Sequence, residues 1–422
     1  MSEPRQEPPR AAVALKALFW VAGAALLAIG VVGTDDRLRD HHLHAAYGNV
    51  VTWGLWVAAY IFFIGLSAGA FLVSSLVYVF GVRRFEPIGR LAVFSALVTL
   101  LLALLAIVVD LGHMDRAWHV VAYPNFKSPM AWMIFLYALY ALILIVEMHF
   151  LLRADLAARR DAPGWRGRAW RLLALGARDT STEARSRHRR IVGVLAALGV
   201  PVAVMFHGGV GALFGIVAAR PHWHSGLFPI LFLVSALTSG GALLVVVAAV
   251  FQRGLGHHAA LVSTLGRLVL ALLATDVLLQ SSELVIAFRG GVPSHLEGFR
   301  LAMFGPYWQV FWGLQVGLGT LLPLALLACS RRPAITALAC LLVVLGTFAL
   351  RLNIVIPGLA GEELRGLMAA VHTPRLTSEY FPSAMEWMVT AGIAGLGLLL
   401  FGVGELLLPP ATLEDSPHAV RV

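Results

Sequence analysis

A few ionisable side chains fall inside stretches that are otherwise apolar, and these are the residues whose types suit chemistry. Asp110 and His113 stand three apart at the end of one stretch, and His207 lies within another. Asp276 and Glu283 share a third, Arg351 and Asn353 close a fourth, and Glu386 opens a fifth. Glu147 lies deep in its own stretch beside His149, with no basic residue one turn before it and Arg153 too far along for an i,i+4 pair. An ionisable group at the centre of a hydrocarbon-spanning helix costs ~2.5–3.5 kcal/mol on insertion scales, so each marks a candidate proton relay, ion path or ligand site. Imidazole titrates near working pH, and buried carboxyls take up protons closer to neutrality than exposed ones. Such groups relay protons or polarise the carbonyl oxygens of a membrane-soluble ring. Each also admits a structural reading. Asp110 and His113, read as sharing one helix face, suit interfacial caps. His207 suits an interhelical hydrogen bond, Arg351 an ion pair with Glu386 or Glu283, and Asp276 and Glu283 polar glue between helices.

The elements that hold these residues are dictated by composition. Of 422 residues, 59% are hydrophobic and 13% charged, against roughly 25% charged in soluble domains. The apolar runs reach the ~20 residues needed to cross a ~30 Å hydrocarbon core. They predict an all-α integral membrane protein with about ten spans, at 11–33, 53–80, 91–112, 130–152, 191–217, 226–251, 262–288, 306–329, 334–353 and 384–407. The first run is too long for a signal-peptide core and no small-residue cleavage site precedes Asp35–Asp36, so it is expected to remain as a span.

Lys and Arg orient the chain. Twenty of the 32 lie in the N-terminal segment, the loops after even-numbered spans and the C-terminal tail, against ten on the other side. The positive-inside rule then places both termini in the cytoplasm. Loop 153–190 alone carries eleven arginines; beside a membrane this reads as a solvated loop near anionic lipid, with Trp165 and Trp170 on an interfacial helix, and not as a nucleic-acid patch. Only two cysteines, Cys329 and Cys340, are present, too few for an iron–sulfur cluster, which takes four. His113, His149 and His207 fall at unmatched depths, so no bis-histidine haem is expected either, and no metal site is assigned.

A weak repeat organises the spans. Leu66–Val73 in the second and Leu237–Leu244 in the sixth are similar small-residue seams on spans of the same direction, a parallel repeat whose small residues allow close helix approach. This predicts two four-helix bundles, spans 2–5 and 6–9, with spans 1 and 10 peripheral. The chain then divides into 1–52 (first span and outer loop), 53–217 (first bundle), 218–353 (second bundle) and 354–422 (outer loop, last span and tail).

The chain resembles the polysulfide reductase membrane-subunit family (NrfD/PsrC). Within it, the chain is similar to the ten-span branch that includes the membrane subunits of quinone-linked periplasmic nickel–iron hydrogenase and of the dissimilatory sulfite reductase-associated complex. The resemblance covers roughly 45–410. It rests on Gly65–Ala70, Asp110–His113 with Arg116, Pro124–Trp132 leading into the fourth span, His207–Gly209, Arg351–Asn353, and Tyr380–Ser383 with Glu386. It implies a quinone-reactive anchor subunit with no catalytic cofactor, haem or iron–sulfur cluster of its own, in the bacterial inner membrane. Menaquinone or ubiquinone would exchange electrons with a periplasmic ferredoxin-like iron–sulfur subunit docked on outer loops such as Asn125–Pro129. That subunit would in turn serve a molybdoenzyme, hydrogenase or cytochrome. By resemblance Asp110, His113 and His207 surround the quinone head group and Glu147 lies on a proton path toward the cytoplasm. Two other classes remain open, a purely structural anchor and a proton-coupled secondary transporter. The transporter would more often show an inverted repeat and broken mid-membrane helices, and here Pro201 and Pro323 are the mid-span prolines.

Overall fold

In lipid every backbone N–H and C=O must be satisfied within its own segment, so apolar runs of this length fold as helices. The structure, a computed structural model, describes residues 10–251, 259–362 and 376–407, with Gly366 and Ala370. Among these there is no strand. Ten helical segments are long and apolar enough to cross a membrane, as expected of a multi-pass integral membrane protein. They are α1 (Arg10–Asp40), α2 (Leu55–Tyr78), α3 (Glu86–Asp110), α5 (Pro129–Arg159), α7 (Thr182–Gly215), α8 (Phe228–Phe251), α9 (Ala259–Arg289), a segment over Gln309–Cys329, α12 (Pro333–Ala360) and α13 (Ala384–Leu407). Short helices α4 (His119–Ala122), α6 (Gly164–Leu173) and α10 (Pro293–Phe304) lie in the loops. The eighth crossing is unusual: Gln309–Leu321 winds as a π-helix and passes into α11 (Leu322–Cys329) at Pro323. Most π-helices are single-turn bulges, often at functional sites.

Local chemistry sets the helix ends. Ser181 caps α7, its Oγ accepting from the Ala184 N–H at 3.1 Å, and Pro87, Pro129 and Pro333 stand in the first turns of α3, α5 and α12, where their missing N–H costs nothing. Connectivity puts loops 41–54, 111–128, 216–227, 290–308 and 376–383 at one end of the molecule, here the loop end, with 79–85, 160–181 and 330–332 at the other.

Packing centres on α2, whose apolar window is wholly buried. α2 contacts α3, α7, α8 and α12; α5 packs on α7 and α3. On the far side α8, α9, α12 and the eighth crossing pack together, while α1 lies along α13, which rests on α3. The two small-residue seams meet directly. A Cβ on Gly69 would lie 1.8 Å from the Ala236 carbonyl oxygen, and one on Gly240 would lie 2.4 Å from the Ala70 nitrogen. Gly69 and Gly240 occupy the same position of the repeat, so equivalent residues face each other across the contact, as about a local two-fold axis.

Three expectations need correction. α3 ends at Asp110 and Leu111 is extended (φ −63, ψ 129), so His113 does not continue Asp110's helix face; Arg37, described below, holds the α3 terminus there. α12 continues through Pro357 to Ala360, which sets Arg351 and Asn353 well inside it rather than at its end. α1 runs on to Asp40, bringing Arg37 into the fold. In loop 153–190, Trp165 and Trp170 do lie on a helix, α6, and the Trp170 indole donates to the Leu407 carbonyl at 2.7 Å. Several arginines there have partners within the chain, among them Arg185 with Asp155 (3.6 Å) and Arg189 with Glu86 (2.6 Å), which tie the loop to α5 and α3. Arg253, Arg365, Arg375 and both chain ends lie outside the described residues.

The seam predicts a sharp contrast. Gly240→Val should lower the stability of the detergent-purified chain by ~1–3 kcal/mol or abolish its accumulation. Gly313→Ala, where a Cβ meets nothing within 4 Å, should unfold like the wild type. Equal thermal unfolding of Gly240→Val and wild type would rule out a tight seam.

Candidate functional site

The loop end carries a polar network built where α1, α2, α3 and α13 converge. Arg37 is fully buried. Its Nε donates to the Val109 carbonyl at 2.9 Å and its Nη2 to the Leu111 carbonyl at 2.7 Å, gripping the backbone on either side of Asp110. A cation on the last carbonyls of a helix complements the macrodipole. Nη2 also donates to His42 Nε2 at 3.0 Å, and the guanidinium lies 5.7 Å over the Trp56 ring. Burial, then the Arg37 charge, hold the His42 pKa below its usual value, so it accepts as a neutral imidazole.

Asp110 Oδ1 accepts from the Tyr47 hydroxyl at 2.6 Å. The Tyr47 ring stands 6.0 Å from Tyr380, whose hydroxyl accepts from the Leu55 N–H at 2.9 Å and donates to Glu386 Oε1. Burial is the larger cause, and nearby carboxylates the next, of both phenols lying well above their usual range; both therefore act as donors. Glu386 is completely buried. Its Oε2 accepts from the N–H groups of Ala46 and Ser383, each at 2.9 Å, and Ser383 Oγ accepts in return from the Glu386 N–H at 3.2 Å. This reciprocal capping box starts α13 and ties loop 41–54 to it.

Deeper, α5 turns one polar face into the first helix group: Tyr137, Tyr140 and Glu147 are all buried at spacings that return to the same side. The Tyr137 and Tyr60 hydroxyls are hydrogen-bonded. Tyr140 donates to the Ser67 carbonyl at 3.1 Å, and Ser67 Oγ donates to the Ala96 carbonyl at 2.7 Å. Glu147 stands two turns beyond Tyr140, fully buried, and neither of its carboxyl oxygens has a hydrogen-bond partner. Buried polar groups are nearly always satisfied, so an orphaned carboxyl needs an explanation.

His207 lies at the junction of the two helix groups. Its Nε2 donates to the Phe232 carbonyl at 3.0 Å, while Nδ1 has no partner. Arg351 shares the junction, 4.3 Å over the Phe232 ring, with Nη2 donating to Ser235 Oγ at 3.0 Å. Gly65 separates them: a Cβ there would lie 3.3 Å from His207 Cε1 and 3.8 Å from Arg351 Nη2. No ion pair joins Arg351 to Glu386 or Glu283 among the described residues: the Glu386 carboxyl is taken up by Ala46, Tyr380 and Ser383, and Glu283 accepts from the Ser225 hydroxyl. Asp276 accepts from Gln280 Nε2 at 2.7 Å.

Of the sequence-predicted site residues, Asp110 belongs to the loop-end network, while His113 is exposed on its rim, 3.9 Å from Asp115. His207 sits near Gly65, nine residues down α2 from Trp56 and thus ~14 Å deeper. Glu147 is separate again. Sequence reasoning missed Arg37, His42, Tyr47, Tyr60, Tyr137 and Tyr140. For α5 the signal was present, since 137, 140, 144 and 147 trace one helix face.

Ten apolar helices around buried carboxyls, phenols and imidazoles define a polytopic membrane subunit with a polar interior. The chain belongs to the polysulphide reductase NrfD family, whose model matches residues 44–361. It is 35% identical to a selenate reductase subunit of Mesobacillus selenatarsenatis, over 96% of each chain. It is 32% identical to a putative dimethyl sulfoxide reductase membrane subunit of Halobacterium salinarum, over 92% of this chain and 89% of that one. It is also 28% identical to the Hdr-like menaquinol oxidoreductase integral membrane subunit of Archaeoglobus fulgidus, over 92% of this chain and 94% of the relative.

Glu386→Leu removes the acceptor of three hydrogen bonds and should destabilise the chain by roughly 2–4 kcal/mol. Glu386→Gln, which keeps an acceptor oxygen, should lose less. Thermal unfolding in detergent reads the difference, and equal loss in the two variants would show that packing rather than hydrogen bonding governs this site.

Proposed function

We propose that this chain is the quinone- or quinol-reactive membrane subunit of a multi-subunit respiratory oxidoreductase. It passes electrons between menaquinone or ubiquinone and a ferredoxin-like iron–sulfur subunit, with protons moving through the chain itself. The observation that carries the reading is Glu147, a buried carboxyl with both oxygens unpartnered, on the same α5 face as Tyr140 and Tyr137. A structural anchor has no use for such a group. The relatives' names support the same class, since they include a menaquinol oxidoreductase membrane subunit and subunits of two reductases. The terminal substrate is then set by the partner's catalytic subunit, a molybdoenzyme, hydrogenase or cytochrome.

In this reading Asp110, positioned by Arg37 and Tyr47, forms the polar wall of the quinone site at the loop end. His113 stands on its rim and His207 at its base. A quinone supplies two-electron chemistry that takes up or releases protons. Asp110 holds or accepts a proton beside the ring, and Glu147, nearer the opposite face, exchanges protons with the site by way of the tyrosine hydroxyls. The loop end is periplasmic in a bacterial inner membrane, both termini are cytoplasmic, and loops including Asn125–Pro129 receive the iron–sulfur partner. The transporter alternative is disfavoured by the seam, where equivalent residues of two helices running in the same direction meet.

Two experiments test this. Glu147→Gln and Asp110→Asn should assemble normally and leave dye-linked activity of the catalytic partner intact, while quinone-linked turnover falls by roughly 10²-fold or more, the scale of a lost proton-transfer group. Normal quinone-linked turnover in both would leave these carboxyls structural. Separately, reporter fusions after Pro124 should read periplasmic and those near Arg178 cytoplasmic; the reverse pattern overturns the orientation.

A further inference from the structure

The second helix group holds a cavity that none of this chemistry uses. It measures about 260 Å³ and lies between α9 and the π-wound stretch, with α10 over it. Gln280 and Glu283 on its wall stand nine and six residues before the loop-end terminus of α9, so the slot lies ~9–14 Å below that end. α9 packs on α8, α12, α11 and α10, and the π-wound stretch on α12, α11 and α10. These two segments therefore form opposite walls, and the gap between them opens at the outer surface beside half-exposed Trp312 and exposed Leu321.

Its lining is apolar and aromatic, with a few converging polar groups, the make-up of a small-molecule site. Three amides bridge the walls in sequence. Gln280, anchored on Asp276, accepts from Gln315 Nε2 at 2.9 Å, and Gln315 Oε1 accepts from Asn353 Nδ2 at 2.7 Å. At the loop-side end, His222 and Glu283 line the slot more than nine-tenths buried, and each has an atom with no hydrogen-bond partner, His222 Nδ1 and Glu283 Oε2. Burial also keeps His222 neutral, its pKa lowered to about 4. A buried polar atom left without a partner is costly, and a ligand that bonds it recovers that cost. The π-winding brings Phe311, Gln315 and Thr320 onto the slot wall together.

From these features we propose that the second helix group carries a binding site of its own, for the ring head group of a membrane-soluble quinone or quinol entering sideways from the lipid. One ring oxygen meets the Gln280–Gln315 amides and the other meets His222 and Glu283, while the tail leaves past Trp312. The volume lies below the ~300–1,000 Å³ of drug-sized pockets; it admits a ring and excludes a whole lipid. The ligand class rests on the function proposed above, whereas the site rests on the cavity alone.

The test uses the full chain in lipid nanodiscs and a fluorescent quinol mimic, a heptyl-hydroxyquinoline N-oxide, titrated by quenching. Wild type should bind two equivalents. Val316→Trp and Ala302→Phe fill the slot from different walls; whichever of them elutes monodisperse should bind one, with affinity for the lost site reduced at least ten-fold. Asp110→Asn should remove the other equivalent. Wild-type stoichiometry in the slot-filled variants would overturn the site. A single wild-type equivalent abolished only by Asp110→Asn would overturn it too, while sparing the proposed function. No binding to any form would overturn both. If filling the slot expels a co-purified phospholipid in native mass spectra but leaves probe binding unchanged, the slot is a lipid site and the proposal fails.

Discussion

The close contact between α2 and α8 is the constraint on which the rest of the molecule depends. Lipid supplies no hydrophobic drive between helices, so association needs close van der Waals packing and interhelical hydrogen bonds. At Gly69 and Gly240 neither helix has room for even a methyl group. That approach fixes the depth at which the helix groups face one another. It brings His207 to the Phe232 carbonyl and Arg351 over the Phe232 ring. Gly65, one helical turn before Gly69, supplies the space in which these two side chains both approach the same face of α2. A cation and an imidazole thus share a buried junction because the backbones around them are locked.

Each helix group uses its polar residues differently. Against the first, hydrogen-bonded groups cluster at the loop end, where Arg37 and Glu386 of the two outer spans, with Tyr47, hold Asp110 and the start of α13, and the deep carboxyl of Glu147 within the group is left alone. In the second, the amides of Gln280, Gln315 and Asn353 run between helices, and His222 and Glu283, each with an unpartnered atom, line a cavity. The repeat therefore relates two scaffolds, with chemistry added separately to each.

Much of this was legible in the sequence. Ten apolar runs, the seams at 66–73 and 237–244, and the isolation of Glu147 in its span all follow from one-dimensional patterns, because hydrocarbon imposes length and polarity limits that few sequences meet by chance. What was hidden depends on three-dimensional closure. Arg37 reads as a loop arginine until α1 is seen to continue past Asp36 and meet the end of α3. His113 reads as Asp110's helical neighbour, because spacing alone does not show a helix released at Leu111. Arg351 reads as terminal because Pro357 suggests a stop, yet a proline within a membrane helix is tolerated when neighbouring helices support the backbone. The tyrosines of α5 blended with the aromatic background of a membrane protein, and the π-winding of Gln309–Leu321 has no marker beyond its glycines and Pro323.

The proton proposed to move at Glu147 during quinone chemistry has a direct spectroscopic signature. Redox-difference infrared spectroscopy of the purified complex, cycled between quinone and quinol, reads this directly. A carboxyl C=O band should change on quinone reduction and be missing from the Glu147→Gln spectrum, with the quinone bands themselves retained. Identical carboxyl regions in wild type and Glu147→Gln would mean that Glu147 exchanges no proton with the quinone.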